Sequence, residues 1–583
     1  MKKKTLILTS FNKTFHYKKT EPIFLGNWCI LEKEKNCSKE NDYKILPYHW
    51  NNRKKLYNDY KYLNKVNEKL LNFLYTKLNK IHNLNYNKRS WQIILGPWLI
   101  NITAILYDRW YTLNDALKKN NVSLINTVKF DPNLITPQSM DHFIKIIKTD
   151  LWNELLFSLI LKNINKNVTK NIKIKQTVNY SYKELVYNEN KLSIIQRFSH
   201  KIIGFFIKNN KSFLYKAHFN LKDYFIIIFL SKIFPTKFKE SSIIRQNFCD
   251  SLRKNLFKQY LANDDFEIFL AQIIKFFIPT AYLEGFKKNN LKALRMSWPL
   301  NPKFIWTTGA YYADDIFKLY TAYHVNKSSL YIISQHGGFF GQEKFSQELD
   351  FKLQVSDFFH TWGWNRTKDK CIPLGCLKRP ITKGRNKNKK IRLIISSCSR
   401  FSSSLSSMPL SSQCETYNDE QINFLKSLKP EVLEKILVRP YTHDFKWELE
   451  KRIKERFKKI KIEDIKLNYK KALQNSSLII SGWNSTTYLE SIGSDIPTII
   501  FWDKNWEFNI EATKMFKKLE DVGVFHKNYY FASKHLNEIH NNIDDWWNSL
   551  SVQKALKEFK MKYILRDKFN RNISKFLKQL NNS

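Results

Sequence analysis

Two short words in the sequence place chemically able residues where a fold would leave them uncovered. The first is SQHGGFFG, Ser334–Gly341, which follows the apolar run Leu330–Ser334. Glycine lets a backbone approach a ligand closely, so Gln335, Gly337 and Gly338 read as substrate contacts. His336 among them reads as an imidazole able to take a proton from an acceptor hydroxyl. The competing reading is a structural histidine in a tight turn. The second word is NSSLIISGWNSTTYLESIGSDIPTIIFWD, Asn475–Asp503: an apolar run, a polar turn, a helix start near Asn484–Thr487 and a proline before the next apolar run. A helix start gathers free N–H groups and the positive end of the dipole, so Ser485, Thr486 and Thr487 suit a phosphate. Glu490, one turn further, suits ribose hydroxyls. Thr487-x-x-Glu490 is also the spelling of a capping box, which satisfies the helix end with no ligand.

Weaker signals surround these. In VRPYTHDFKW (Val438–Trp447), Arg439 can pair with a phosphate bidentately, and His443 with Asp444 adds a titratable pair; an exposed loop with incidental charges is the bland alternative. Arg400 and the stretch Ser402–Ser412 read either as a flexible phosphate loop or as a disordered excursion. The Trp/Gly-rich words PIFLGNWC, KRSWQIILGPWL and DRW read as core. There is no Asp-x-Asp, P-loop, Gly-x-Gly-x-x-Gly, zinc-ligand pattern, Gly-x-Ser-x-Gly elbow or kinase signature. No metal and no cofactor are therefore expected; a nucleotide-activated donor would be a substrate.

The elements that must position these words form two series. Thr5–Thr9 reads as a buried strand. Asn51 to about Leu117 is helical, with Leu56, Tyr60, Leu63, Val66, Leu70, Leu71 and Leu74 at three- and four-residue steps. Gln138 to about Phe286 is mainly helical, with a break near Asn163–Lys175. After Pro302, short apolar runs at Lys303–Trp306, Leu330–Ser334 and Phe358–Trp364 end in small or polar residues, as strands of a parallel sheet do at a ligand site. KRPITKGRNKNKK, Lys378–Lys390, reads as a linker. A second series then runs through Ile391–Ser396, Ile436–Arg439, Leu478–Ser481 and Pro497–Trp502, and Val552–Leu580 reads as basic amphipathic helices. The expected class is α/β: a Rossmann-like acceptor-side domain over 1–377, with a helical insertion over about 51–300, and a Rossmann-like donor-side domain over 391–583.

Composition bounds the function. The chain has 583 residues, 43% of them hydrophobic, which excludes a disordered protein. Lys and Arg outnumber Asp and Glu by 98 to 52, a formal charge of +46. Abundant Lys, Asn, Ile, Tyr and Phe with scarce Gly and Pro trace much of this to an AT-rich genome. The remainder suits pyrophosphate substrates and anionic headgroups. A non-catalytic nucleic-acid-binding or assembly protein is a competing reading; the charge is spread along the chain without a recognition motif. The seven cysteines form no C-x-x-C and read as reduced thiols. No apolar run approaches the roughly 20 residues that span a bilayer. A cytoplasmic protein, with peripheral contact at the inner face of the membrane, is expected.

The words FLGNWC, YHWNNRKKLYNDY, RSWQIILGPWL with DRW, ITPQSMDHF, SQHGGFFG, SDFFHTWGW and SGWNSTTYLESIGSDIPTIIFW, in this order from about residue 5 to 505, resemble a bacterial family of surface-carbohydrate transferases of O-antigen and capsule loci. More distantly, the second half is similar to capsule sugar transferases and CDP-glycerol glycerophosphotransferases of the two-Rossmann-domain, GT-B-like type. The resemblance implies that His336 is the base, that Ser485, Thr486 and Thr487 contact phosphate, that Glu490 holds ribose and that Arg439 clamps phosphate. It implies transfer of a sugar, or alternatively of a polyol phosphate from a CDP-linked donor, to a polysaccharide or lipid-linked acceptor. Gly482-Trp483 departs from the His- or Tyr-bearing turn common at that place.

Overall fold

The computed structural model describes residues 3–12, 14–15, 20–31, 43–164, 169, 172–177, 185–186, 193–233, 242–367, 369–382 and 389–582. Part of the expected break near Asn163–Lys175, residues 383–388 of the expected linker, and Cys37 lie outside them.

Three parallel sheets organise the chain. The first contains β1 (Lys4–Ile7), β2 (Glu21–Phe24), β3 (Lys44–Ile45), β4 (Leu124–Val128) and β5 (Lys173–Thr177), in the order β3-β2-β1-β4-β5. The second contains β6 (Ser212–Tyr215), β7 (Phe304–Thr307), β8 (Leu330–Ser334), β9 (Phe358–His360) and β10 (Cys371–Ile372), in the order β10-β9-β8-β7-β6. The third contains β11 (Lys390–Ile394), β12 (Ile436–Arg439), β13 (Lys461–Ile462), β14 (Ser476–Ser481), β15 (Thr498–Phe501) and β16 (Phe525–His526), in the order β13-β12-β11-β14-β15-β16. Helices cover both faces, and so the central strands FIWT of β7 and TIIF of β15 are buried at every residue.

The α/β class with parallel sheets is thus the observed one. Residues 51–300 hold more than the expected helical insertion, for β4, β5 and β6 lie within them. Of these only β5, KIKQT, lacks an apolar run, with Lys173, Ile174 and Lys175 exposed; β4 (LINTV) and β6 (SFLY) are short apolar runs between helices. The expected helix over Asn51–Leu117 is two helices, Arg53–His82 and Lys88–Lys119, separated where Asn83 adopts a left-handed φ of 55°. Lys88–Lys119 is long and apolar enough to cross a membrane by length and composition, and 94% of its most apolar window is buried inside the protein. It packs against the helices Arg53–His82 and Asp315–Asn326.

The tail returns to the second sheet. Helix Leu550–Tyr563 packs on Ile510–Asp521, then Phe569–Asn582 lies on Leu221–Ser231, with Phe576 5.6 Å from Phe358 and 6.0 Å from Trp306 between ring centres. The crossing chain passes so close to Gly375 (φ 115°) that a Cβ there would stand 2.8 Å from the Leu565 carbonyl. One expectation about thiols is corrected: Cys398 and Cys414 form a disulfide, while Cys29, Cys249, Cys371 and Cys376 are free. The loop after β11 folds back on the start of helix Gln413–Lys426, a proximity that a sequence separation of 16 does not reveal.

Candidate active site

The carboxyl end of β8 carries the first word. Gln335 is buried and fully engaged: its Oε1 accepts from the Trp362 N–H at 3.0 Å and the Trp364 Nε1–H at 2.8 Å, and its Nε2 donates to the Gly337 carbonyl at 2.8 Å. Gln335 therefore latches the turn, and its expected role as a substrate contact is corrected. Below it, His360 donates from Nε2 to the Gly375 carbonyl at 2.7 Å and lies 3.0 Å from Ser334 Oγ.

With Gln335 turned inward, His336 points outward and stays exposed. Its Nδ1 lies 3.4 Å from Tyr311 Oη and 3.5 Å from Lys352 Nζ. Tyr311 donates its proton to Glu348 at 2.5 Å, so towards His336 the phenol oxygen can only accept. Nδ1 thus lies between a phenol oxygen that can accept and an ammonium that can only donate. Lys352 is buried, lies 2.9 Å from Glu348 and sits 3.6 Å above the Phe340 ring. Surrounding protein, and after it the Lys352 ammonium, push the His336 pKa down to about 3, against the opposing Glu348 charge. Burial would raise Glu348, but Lys352, His336 and Tyr311 outweigh it and hold the carboxyl at about 2. His336 is accordingly neutral across the physiological range.

The second word meets the first directly. A Cβ on Gly338 would stand 2.7 Å from the Thr486 nitrogen and closer still to the Ser485 carbonyl, while one on Gly337 would stand 3.6 Å from Thr486 Oγ1. Gln342 ties the two turns together: its Oε1 accepts from Asn484 Nδ2 at 3.0 Å and from Tyr488 Oη at 2.9 Å. Helix Thr486–Gly493 is capped by Ser485, whose Oγ accepts from the Thr487 N–H at 3.4 Å. The capping box Thr487-x-x-Glu490 is not formed, because the helix begins at Thr486 and puts Glu490 beyond its first turn. Glu490 pairs instead with Lys378 at 3.1 Å. His336, Gly337, Gly338, Ser485 and Thr486 are thus brought together, with Thr487 and Glu490 along the same helix. His218, exposed in a left-handed conformation after β6, also faces this cleft, its pKa pushed below the ordinary imidazole value by desolvation and then by Lys378 and Lys216, and Lys378 adds its charge there.

Two other expectations are corrected. Arg439 is buried, with Nη1 2.6 Å from Glu463 and Nη2 donating to the Leu467 carbonyl at 2.8 Å, which commits the guanidinium to partners inside its own domain rather than to a phosphate. Arg400 and the Ser-rich stretch form an ordered seam with the first sheet. Arg400 bonds Asp150 at 2.5 Å and the Trp28 carbonyl at 2.6 Å, and Ser402 bonds Asp108 at 2.7 Å. His443 is exposed, and Asp444 accepts from the Glu448 N–H at 2.6 Å, so the pair does not converge on the cleft. Tyr311, Glu348, Lys352, Gln342 and His218 were not singled out from sequence. The available signal was the i, i+4 pair Glu348 and Lys352 behind a Ser346 cap. Among the described residues no three His, Cys, Asp or Glu side chains converge as metal ligands.

The model of one family, described as LIC12162 family transferase, matches residues 4–579. No curated protein matches the sequence. Solved structures that it resembles include the wall teichoic acid polymerase TagF with CDPG (11% identity over 67% of this chain and 92% of that chain, TM-score 0.33). They also include Anabaena HepE with UDP and glucose (10% identity, 63% of this chain and 99% of that chain, TM-score 0.34). A third is MurG of Acinetobacter baumannii (10% identity, 63% of this chain and 99% of that chain, TM-score 0.31).

Proposed function

The chain belongs to the LIC12162 family of transferases, and we propose that it moves a sugar or related group from a nucleotide-activated donor to a growing cell-surface polysaccharide or a lipid-linked acceptor. The observation that supports this most is the meeting of the His336 turn with the Ser485–Thr486 helix start, a base and an anion site from two sheets on one cleft.

In this reading the donor pyrophosphate lies at the helix start, where Ser485, Thr486 and Thr487 and the free N–H groups neutralise its charge. Glu490 releases Lys378 to accept from the ribose hydroxyls, and Lys378 turns to the phosphates. The acceptor hydroxyl attacks the donor carbon, the bond from that carbon to the phosphate oxygen breaks, and the nucleotide leaves with the electron pair. The acceptor proton passes to His336 Nε2. With its pKa held below the ordinary imidazole value, His336 in the empty cleft carries no proton to block the step. The bound pyrophosphate raises its affinity for one by opposing the Lys352 charge. The enzyme acts as a cytoplasmic protein peripheral to the inner membrane face.

The test is His336→Ala. Turnover should fall by about a thousandfold, within the range of a lost general base, while the rise in melting temperature given by the matching nucleotide stays that of the wild type. Normal turnover in this variant refutes the assignment.

A further inference from the structure

Two helices beside the second sheet are built inside out. In Leu221–Ser231 the residues facing inward, onto helix Phe569–Asn582, are Asp223, Ile227 and Ser231. The opposite stripe, Leu221, Phe225 and Phe229 at four-residue steps, is 63%, 66% and 73% exposed. Helix Ile194–Ile207 repeats the pattern: Gly204 lies against Ser297, while Phe198, Phe205 and Phe206 are 65%, 80% and 74% exposed. Single exposed apolar residues are ordinary, but periodic aromatic stripes are not. The two helices enter and leave β6, the edge strand of its sheet.

Among the described residues, the exposed charges at the ends of these helices are lysines. Lys208, Lys211, Lys222 and Lys232 are exposed at the helix ends, and Lys232 Nζ lies 5.2 Å over the Phe229 ring. Helix Ile194–Ile207 contains no acidic residue, and the single one in Leu221–Ser231, Asp223, is buried against Arg566 and Arg379. A second copy of the chain would bring lysines onto lysines. A bilayer surface rich in anionic phospholipid matches both features at once, because rings enter the boundary of headgroups and acyl chains while ammonium groups meet phosphates.

We propose that this edge of the second sheet, carried by helices Ile194–Ile207 and Leu221–Ser231, docks on an anionic phospholipid surface. The inference rests on the transferase reading only for its purpose, the delivery of a lipid-linked acceptor. It also fixes a distance. Only β7 separates β6 from β8, so the strand that carries His336 lies two strand spacings, about 10 Å, from the docked edge.

The experiment is flotation of the full chain with vesicles of phosphatidylcholine and phosphatidylglycerol in equal parts, and with phosphatidylcholine alone. The wild type should float with the mixed vesicles and hardly with the neutral ones. The double variants Phe205→Asp/Phe206→Asp and Phe225→Asp/Phe229→Asp should each bind about a hundredfold more weakly. Their melting temperatures should equal that of the wild type, since the replaced rings are exposed. Wild-type vesicle binding by both variants overturns the proposal, as does equal flotation with neutral vesicles. A wild-type dimer that the same substitutions convert to monomer, with no vesicle binding, overturns it too. Melting-temperature shifts with soluble nucleotide donors are read in parallel. If no nucleotide shifts any of the proteins while vesicle binding behaves as expected, the donor reading fails and the docking surface stands.

Discussion

Gly338→Ala isolates the contact on which the candidate site depends. Neither Gly337 nor Gly338 has a left-handed φ, so alanine fits the backbone at both positions and only space decides the outcome. At Gly338 the new methyl would lie 2.7 Å from the Thr486 nitrogen, against the roughly 3.5–4.0 Å of a relaxed carbon contact. The obstruction is backbone on the facing turn, so no side chain can rotate away. One turn must withdraw by about 1 Å, and overpacking of this kind costs about 1–3 kcal/mol. Read as an equilibrium between apposed and parted turns, that is a loss of about 5- to 150-fold in the apposed form. Turnover should fall by up to this factor. Gly337→Ala is the matched control, because its methyl would stand 3.6 Å from Thr486 Oγ1 and 4.0 Å from Phe340, ordinary contact distances. The assay is initial-rate turnover of both variants with the donor identified by melting-temperature shift. Equal activity of the two alanine variants, or a worse Gly337→Ala, would falsify the apposition.

Two further outcomes follow from side chains that the fold has already engaged. Arg439→Met should destabilise the protein by about 1–3 kcal/mol, less than a fully orphaned buried partner costs, because Arg392 remains 2.9 Å from Glu463; nucleotide affinity measured on the folded variant should be unchanged, and a selective loss of affinity would restore the clamp. Buried His82, His142 and His360 have pKa values pushed down to about 4, chiefly by desolvation. Their unfolded value is 6.5, so below that pH the unfolded chain binds protons that the folded chain refuses. Each should therefore remove up to about 1.4 kcal/mol per pH unit between pH 6.5 and 4. Melting curves across that window should slide steadily downward, and a flat profile would contradict the buried neutral state.

What could be read from sequence depended on whether burial left a one-dimensional trace. Strands such as LYIIS, SSLIIS and TIIF are covered on both faces and show as unbroken apolar runs. The edge strand KIKQT is polar, and the four-residue strands EPIF and SFLY are too short to stand out beside long helices, and so three sheets read as two. Glycines beside His336 and the Ser485 turn were visible because close approach needs small residues in a row. The roles of Gln335 and Arg439 were not, because a polar residue at a strand end looks the same whether its partner is a ligand or the protein. The Ser402–Ser412 stretch has the composition of a loose loop, yet Ser411 Oγ donates to the Arg400 carbonyl at 2.6 Å and Ser412 Oγ accepts from the Asn27 N–H at 3.2 Å. Partners some 385 positions away in the chain leave no local signature. The same holds for Tyr311 beside Glu348: only the folded sheet sets that phenol against that carboxylate.

The return of helix Phe569–Asn582 to the second sheet has a consequence during synthesis. Trp306 and Phe358 are covered by Phe576, a residue made roughly 200 positions after the last strand of their sheet, which at 5–20 residues per second is a wait on the order of 10–40 s. Throughout that interval the nascent chain carries an uncapped aromatic face outside the ribosome. A chain cut short before Phe569 would hold nearly every residue of the cleft and still leave its second sheet open to aggregation. Quality control by chaperones should therefore act on the growing chain, and the fourteen-residue helix Phe569–Asn582 is the segment that closes this aromatic face.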